Sequence, residues 1–310
     1  MLLSAILAIA LAAEFLLLCL VGSWWISFGT PFYLVFGWLL FAAGLWRAFL
    51  VLVTFALSGG FRGRKLMSLI KVMGGEILVV LYLYSYAQVL LPLAYRLPGW
   101  LGFKLSSSAL RTGPLIVLVH GFVCNSGLWS AMIRHLRRSG FSRIHAVDLD
   151  PFYRSMPKSL AEFDFQLSKI MQLEREQGEV VLIGHSMGGV LARVFQNRYP
   201  ERVLAAISIG APHAGTDLAR LVSTIEVGPA RPDTRWLLEF NAAIAAERDT
   251  KLRPALNIWS ESDNIVYPQA NAALNSGVDF CLNGLGHLHL AFSKRALKLI
   301  TDFLSKLDVS

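Results

Sequence analysis

Charged residues are scarce in this chain of 310 residues, at 16% against about 25% in an ordinary soluble protein. Hydrophobic residues reach 55%, above the usual range of about 45–50%. The scarcity is uneven, because residues 1–100 hold only six of the 29 basic residues and two of the 21 acidic ones. Composition therefore predicts an apolar region of residues 1–100, followed by a folded soluble domain of residues 101–310.

Cysteine is also rare, and the patterns typical of nucleic-acid and metal sites are missing. There are three cysteines, of which Cys124 and Cys281 can pair only if the fold brings them together, and we expect both to be unpaired small apolar residues. No basic run is interleaved with aromatic residues, and no zinc-ligand spacing occurs. We therefore expect no nucleic-acid partner, although the net charge is +8. No metal or organic cofactor is implied.

The first region contains two long apolar runs. Leu2–Val21 has the length that crosses a bilayer. A signal peptide is the alternative, but no Lys or Arg precedes the run and no clean small-residue cleavage site follows it. The second run, Phe32–Leu57, is interrupted by Arg47, which must snorkel or face other helices because a bare charge in hydrocarbon is costly. Both runs are predicted to be membrane helices.

A third run, Ile77–Leu93, is weaker because several tyrosines make it partly polar. It is either a third membrane helix or a helix that lies on the membrane or packs on the following domain. The only basic loop of this region, which holds Arg62, Arg64, Lys65 and Lys71, is expected in the cytoplasm by the positive-inside rule. Three membrane helices would place residues 101–310 on the far side, in the periplasm if the membrane is a bacterial inner membrane, and this is the arrangement we expect. Two would leave the domain cytoplasmic.

From residue 114 onward, short apolar runs alternate with segments of helical periodicity. This alternation is typical of an α/β domain in which crossover helices flank a mostly parallel sheet. The run VVLIGHSMGG ends in the pattern G-x-S-x-G, formed by Gly184, Ser186 and Gly188. In this pattern the serine lies at a tight strand-to-helix turn, and the glycines avoid the clashes that a Cβ would cause there. Ser186 is therefore the predicted nucleophile.

Five separated segments, LVHGF, GHSMGG, SIGAPHAGT, WSESDNIV and GLGHLHL, resemble bacterial lipases and esterases of the α/β-hydrolase superfamily, especially the compact triacylglycerol-lipase type. The resemblance covers most of residues 114–307 and does not reach residues 1–100. It implies the α/β-hydrolase fold, with Asp263 as the acid and His287 as the base of a catalytic triad. It also implies an oxyanion hole formed by the backbone N–H groups of Phe122 and Met187.

The order of these residues along the chain agrees with the resemblance, since the α/β-hydrolase order is serine, acid, histidine. A serine hydroxyl needs a neutral imidazole to take its proton, and the imidazole needs a carboxylate to orient it. His289 is an alternative base, and Asp279 and Glu261 are alternative acids. The histidines His120, His185 and His213 are expected to have structural roles.

The segment near residues 213–253 lacks a strand pattern and is predicted to form a cap over the site, either as a lid that admits acyl chains or as ordinary packing. We expect a serine carboxylic-ester hydrolase that acts through an acyl-enzyme on a lipid or another hydrophobic acyl ester, with the membrane as its second partner. An acyltransferase or thioesterase with the same triad is one alternative. A non-catalytic membrane-anchored interaction protein of the same fold is another.

Overall fold

The computed structural model describes most of the chain. The described residues are 2–29, 31–61, 63–94, 113–149, 156–175, 178–222, 237–238, 241–242, 254–274 and 277–307. We call the described residues from 113 onward the sheet unit. The predicted domain boundary near residue 100 and most of the predicted cap at 213–253 lie outside the described residues.

The helical region before the sheet unit consists of three long helices. They are α1 (Leu2–Ser27), α2 (Phe32–Leu57) and α3 (Leu66–Tyr82), and α3 continues through a π-helical turn (Leu83–Ala87) into α4 (Gln88–Ala94). By length and composition alone, Ala5–Ser27, Phe32–Leu57 and Leu66–Pro92 could each cross a membrane. In α2, Arg47 forms a bidentate ion pair with Glu14 of α1, at 2.8 and 2.7 Å. The charge therefore faces a neighbouring helix, which is one of the two outcomes expected from the cost of burying it.

The sheet unit contains six parallel strands in the order β2-β1-β3-β4-β5-β6. The strands are β1 (Leu115–Val119), β2 (Ile144–Val147), β3 (Val180–His185), β4 (Val203–Ile209), β5 (Ala255–Trp259) and β6 (Val278–Cys281). The helices are α5 (Ser130–Arg138), α6 (Met156–Glu174), α7 (Met187–Arg198), α8 (His287–Leu290) and α9 (Lys294–Leu304). Short 3₁₀ helices occupy Ser126–Trp129, Pro200–Arg202, Asp217–Val222 and Gln269–Ala272. The predicted alternation of strands and crossover helices is confirmed.

Apolar layers cover both faces of the sheet. In β1 all five residues are buried, and because successive side chains point to opposite faces, Ile116 and Leu118 lie in one apolar cluster and Val117 in the other. A strand buried on both faces requires a continuous apolar run, and LIVLV is such a run. The chain passes from β1 outward to β2 and then returns to the other side of β1 as β3. The reversal places a crevice between the carboxyl ends of β1 and β3, where ligands bind in folds of this kind.

The third helix belongs to the same core as the sheet. Val79, Leu83, Ala87 and Leu91 lie in the apolar cluster that also contains Ile116 and Leu118 of β1. This face of the helix therefore packs on the sheet unit, while Leu66–Pro92 as a whole is long and apolar enough to cross a membrane.

Candidate active site

Ser186 lies between β3 and α7, in the crevice where the strand order reverses. Its backbone has φ 54° and ψ −125°, a conformation that residues other than glycine rarely adopt and that typically costs about 1–3 kcal/mol. The Ser186 N–H donates to the carbonyl oxygen of Ile209 at the end of β4, at 2.9 Å. The strained turn is therefore fastened to the neighbouring strand, and it has the form of a nucleophile elbow.

The glycines on either side of Ser186 are required by close contacts. A Cβ at Gly184 would collide with the carbonyl group of Gly188, and a Cβ at Gly188 would collide with the carbonyl oxygens of Val119 and His120. Only glycine allows α7 to begin so close to the end of β1. The loop after β1 consequently lies directly beside the serine, where a Cβ on Gly121 would approach the Ser186 Cβ to 2.8 Å.

Asp263 and His287 form a buried pair at the carboxyl end of the sheet. The His287 Nδ1–H donates to Asp263 Oδ2 at 2.8 Å, and the two residues are 4% and 1% exposed. The other carboxylate oxygen of Asp263 accepts the backbone N–H groups of Ile265 and Val266, each at 2.8 Å. With its Nδ1 proton held by Asp263, the neutral imidazole presents Nε2 as its proton acceptor.

The surroundings of His287 act on its pKa in opposite directions. Burial disfavours the imidazolium, but the charge and hydrogen bond of Asp263, together with the charge of Glu76, favour it and raise the pKa of His287 above its usual value. The neighbouring His185 ring lies 4.7 Å away between centroids. Burial and the charge of His287 lower the pKa of His185 to about 3, so His185 remains neutral while His287 gains or loses a proton.

Ser186 and His287 lie at the same edge of the sheet but do not share a hydrogen bond. In the described part of the chain, the imidazole bonds to Asp263, and no hydrogen bond from its ring to the Ser186 hydroxyl is present. Catalytic hydrogen bonds are often long or poorly aligned in ligand-free enzymes and shorten when substrate binds. The structure thus brings the predicted acid and base together and places the predicted nucleophile beside the loop that follows β1.

The predicted oxyanion donors occupy the two sides of the crevice. Met187 is the first residue of α7, where backbone N–H groups have no partner within the helix. Phe122 lies in the turn after β1. The next residue, Val123, has a φ of 52°, which is unusual for a β-branched side chain. The Tyr84 hydroxyl donates to the Val123 carbonyl oxygen at 3.1 Å, so the helical region braces this turn.

The alternative acids and the alternative base have other surroundings. Asp279, on β6, accepts the Trp259 indole N–H at 2.9 Å. Glu261 is exposed. The His289 ring packs against the backbone of Gly75 in α3, where a Cβ would collide with it. None of these three residues bonds to His287 among the described residues.

His120 and His213 have structural contacts, as expected. His120 accepts the Leu149 N–H at Nε2, at 3.0 Å. Burial, assisted by the charge of Arg193, lowers the pKa of His213 to about 3, and its ring bonds to Ser208 and Asn257 at 3.2 and 3.3 Å. Cys124 and Cys281 are free, as predicted, and so is Cys19. Burial raises the pKa of the Cys124 thiol to about 12, so that thiol is not a nucleophile near neutral pH.

Sequence reasoning missed two residues that hold the base. Asn264 accepts the His287 backbone N–H at 2.9 Å. Glu76, on α3 and 1% exposed, accepts the backbone N–H groups of Leu288 and His289, each at 2.9 Å. A Cβ on Gly286 would collide with the Glu76 carboxylate, so glycine is needed for this approach. The one sequence signal for the role of Glu76 is that it is an acidic residue within an apolar run.

Among the residues that the structure describes, no group of three or more His, Cys, Asp or Glu side chains has metal-binding geometry.

Residues 114–227 match the family described as "alpha/beta hydrolase fold". The chain is 30% identical over 153 residues to bifunctional epoxide hydrolase 2 of Sus scrofa, over 48% of this chain and 27% of that protein. It is 35% identical over 95 residues to a pimeloyl-[acyl-carrier protein] methyl ester esterase of Hamiltonella defensa, over 30% of this chain and 34% of that protein. The chain thus spans about a third or less of the length of these relatives.

Solved structures show the same fold at low identity. The mature Bacillus licheniformis lipase BlEst2 superimposes with a TM-score of 0.52 and 18% identity, over 64% of this chain and 94% of that one. Aspergillus fumigatus lipase B gives a TM-score of 0.51 and 16% identity, over 62% of this chain and 52% of that one. At such identities the likeness is one of fold.

Proposed function

We propose that this chain, which has the α/β-hydrolase fold and matches that family over residues 114–227, is a serine carboxylic-ester hydrolase that acts on a lipid or another hydrophobic acyl ester. The observation that carries the proposal is the buried hydrogen bond of 2.8 Å from His287 Nδ1–H to Asp263, at the same sheet edge as the strained turn of Ser186. A serine, an oriented imidazole and a buried carboxylate are the groups that acyl transfer through a serine ester requires.

In the proposed reaction the Ser186 Oγ attacks the ester carbonyl carbon, and His287 Nε2 takes the hydroxyl proton. The carbonyl oxygen becomes an oxyanion that accepts hydrogen bonds from the backbone N–H groups of Met187 and Phe122. His287 then gives its proton to the departing alkoxide, which leaves as an alcohol, and the acyl group stays on Ser186. His287 Nε2 then takes a proton from a water molecule that attacks the acyl carbon, and gives it to the Ser186 Oγ as the bond to the acyl group breaks and the carboxylic acid leaves.

The helical region supports a membrane location and a hydrophobic substrate. Along α1 and α2, large apolar side chains are exposed, as at Phe15, Trp24, Phe32, Trp38 and Phe49, more than a water-soluble surface tolerates. A bilayer would cover them. An esterase held at the bilayer meets lipids and other apolar esters at high local concentration.

Contacts at both ends of the third helix support a cytoplasmic location of the sheet unit. Before its start, Gln269 Nε2 donates to the carbonyl oxygen of Ser58, the C-cap residue of α2, at 3.3 Å, and near its end the Asn125 N–H donates to Gln88 Oε1 at 2.9 Å. Leu66–Pro92 has 27 residues, about 40 Å of helix, and these two contacts favour a helix that lies along the sheet unit. Two embedded helices, α1 and α2, return the chain to its starting side. The basic loop and the sheet unit then share that side, which the positive-inside rule makes cytoplasmic.

The activity is tested with the purified full-length protein, p-nitrophenyl esters and a fluorophosphonate probe. We expect ester turnover and stoichiometric labelling, both lost in Ser186→Ala. A folded wild-type protein that neither turns over any ester nor reacts with the probe would refute the proposal. Release of the acyl group mainly to an added alcohol or lipid acceptor, and not to water, would indicate an acyltransferase.

Sidedness is tested by fusing alkaline phosphatase or a fluorescent protein that folds only in the cytoplasm to the C-terminus. We expect fluorescence without phosphatase activity. The opposite result would restore the three-helix arrangement expected from the sequence.

A further inference from the structure

A cavity of about 620 Å³ lies between the helical region and the sheet unit. Its volume is within the range of about 300–1,000 Å³ that small-molecule sites occupy. The apolar side chains on its walls come from both parts of the molecule. Leu7, Leu11 and Leu50 belong to α1 and α2, and Val123, Ile265 and Leu288 belong to the sheet unit.

The sheet-unit side of the cavity is formed by neighbours of the candidate catalytic residues. Val123 follows Phe122, Asn264 and Ile265 follow Asp263, and Leu288 follows His287. Asn264 joins the two parts directly, because its Nδ2 donates to Thr54 Oγ1 of α2 at 2.7 Å while its Oδ1 accepts the His287 N–H. The cavity therefore lies beside the candidate active site, whose residues Ser186, Asp263 and His287 do not themselves line it.

The polar groups that face the cavity are engaged with one another or with the backbone. Arg47 and Glu14 form their bidentate pair, both oxygens of Glu76 accept backbone N–H groups, and the Tyr84 hydroxyl donates to Val123. A charged ligand would have to break these bonds at a cost in desolvation. The remaining wall offers only apolar contact, which suits hydrocarbon.

We propose that this cavity holds the acyl chain of the ester substrate, so that α1 and α2 form one wall of the acyl-binding site. The inference rests on the proposed esterase function and adds the location and chemistry of its acyl site. The predicted cap near residues 213–253 is not needed for it. Chain-length preference is then set by residues of the membrane-embedded helices.

The test compares two substitutions on the same helix. Leu11→Trp fills the cavity, whereas Leu16→Trp adds the same side chain at a position that is 62% exposed and does not line the cavity. For each variant, kcat/KM is measured with p-nitrophenyl dodecanoate and p-nitrophenyl butyrate. We expect Leu11→Trp to lower the dodecanoate-to-butyrate ratio about tenfold or more, and Leu16→Trp to leave it within about twofold of wild type.

An unchanged ratio in Leu11→Trp would overturn the proposal, as would a wild type that hydrolyses butyrate but not dodecanoate. Absence of turnover with both esters would instead refute the esterase function. If Leu11→Trp does not fold, Leu11→Ala decides, since enlarging the cavity should raise the ratio of hexadecanoate to dodecanoate turnover and an unchanged ratio would refute the site. A last comparison supplies p-nitrophenyl dodecanoate either in phosphatidylcholine vesicles or in detergent micelles. Faster turnover in vesicles would mean that the acyl chain enters from the bilayer, and otherwise it is taken up from solution.

Discussion

The helical region and the sheet unit use apolar side chains differently. In the sheet unit they lie in two layers against the strands, and the candidate catalytic residues stand at strand ends. In α1 and α2 they mostly point outward, while α3 and α4 place one apolar face in the core of the sheet unit and leave others, such as Leu66, Ile70 and Leu78, exposed. Helices of similar apolar composition therefore differ in what their side chains contact: those of α1 and α2 are mostly exposed, and one face of the third helix packs in the core of the sheet unit. Substitutions should therefore have the largest effects at the sheet edge, intermediate effects on α3 and small effects on the exposed face of α1.

The largest effect is expected from Ser186→Ala. Removing the nucleophile should lower kcat on the order of 10⁶-fold, with little change in the circular-dichroism spectrum because the side chain is small. Stopped assays with p-nitrophenyl butyrate and fluorophosphonate labelling would measure it. Retention of more than about a tenth of wild-type turnover would move the chemistry away from this edge.

Asp263→Asn should follow, with kcat lower by about 10⁴-fold because the amide no longer fixes the imidazole tautomer. Wild-type activity requires neutral His287, whose pKa is raised, so kcat/KM should fall as pH decreases through a value above about 6.5. Without the carboxylate, the residual activity should fall at lower pH instead. A pH profile with an unshifted acid limb would show that another group is the acid partner.

The third helix is tested by Leu83→Ala, with Leu16→Ala on α1 as its matched control. Leu83 is fully buried in the shared core, so truncation should destabilise the protein by about 2–5 kcal/mol. Leu16 is 62% exposed, and its truncation should change the unfolding free energy by less than about 0.5 kcal/mol. Chemical denaturation in detergent would compare them, and equal values would mean that α3 is no more a part of the sheet unit than α1 is.

Glu76→Gln should have the smallest of these catalytic effects, a decrease in kcat of about tenfold. The amide has one acceptor oxygen for the two N–H groups of α8, and it lacks the charge that strengthens such bonds. Because the charge of Glu76 helps to raise the pKa of His287, the acid limb of kcat/KM should also move to lower pH. Lower activity with an unmoved limb would indicate a purely structural role, and Glu76→Asp tests rescue of the charge.

Much of the sheet unit could be predicted from the sequence because its signals are local. The elbow at Ser186 follows a buried run and is flanked by glycines, and the order of serine, acid and histidine named the pair that the structure joins. Boundaries are less accurate: the sequence pattern predicts helices over 159–177 and from Val190 to Arg198, whereas the structure has them at Met156–Glu174 and Met187–Arg198. The four-residue helix α8 was missed because so short a segment has no periodic pattern.

The role of the third helix could not be predicted with the same means. Lipid and a protein core both select apolar side chains, so the composition of residues 66–94 does not distinguish them. Glu76 reaches α8 across 212 positions of sequence, and no local pattern encodes such a contact. The cavity has the same origin, since its two walls come from opposite ends of the chain.

The carboxylate of Glu76 also makes a mechanical link. Val51 and Phe55 of α2 pack in one cluster with Val72 of α3. Glu76 of α3 accepts the backbone N–H groups of the two residues that follow His287. In the proposed membrane location, a bilayer whose thickness does not match α1 and α2 would exert a tilting force on them, and this series of contacts would pass it toward the imidazole. Turnover is then expected to vary with the acyl length of the surrounding phospholipids.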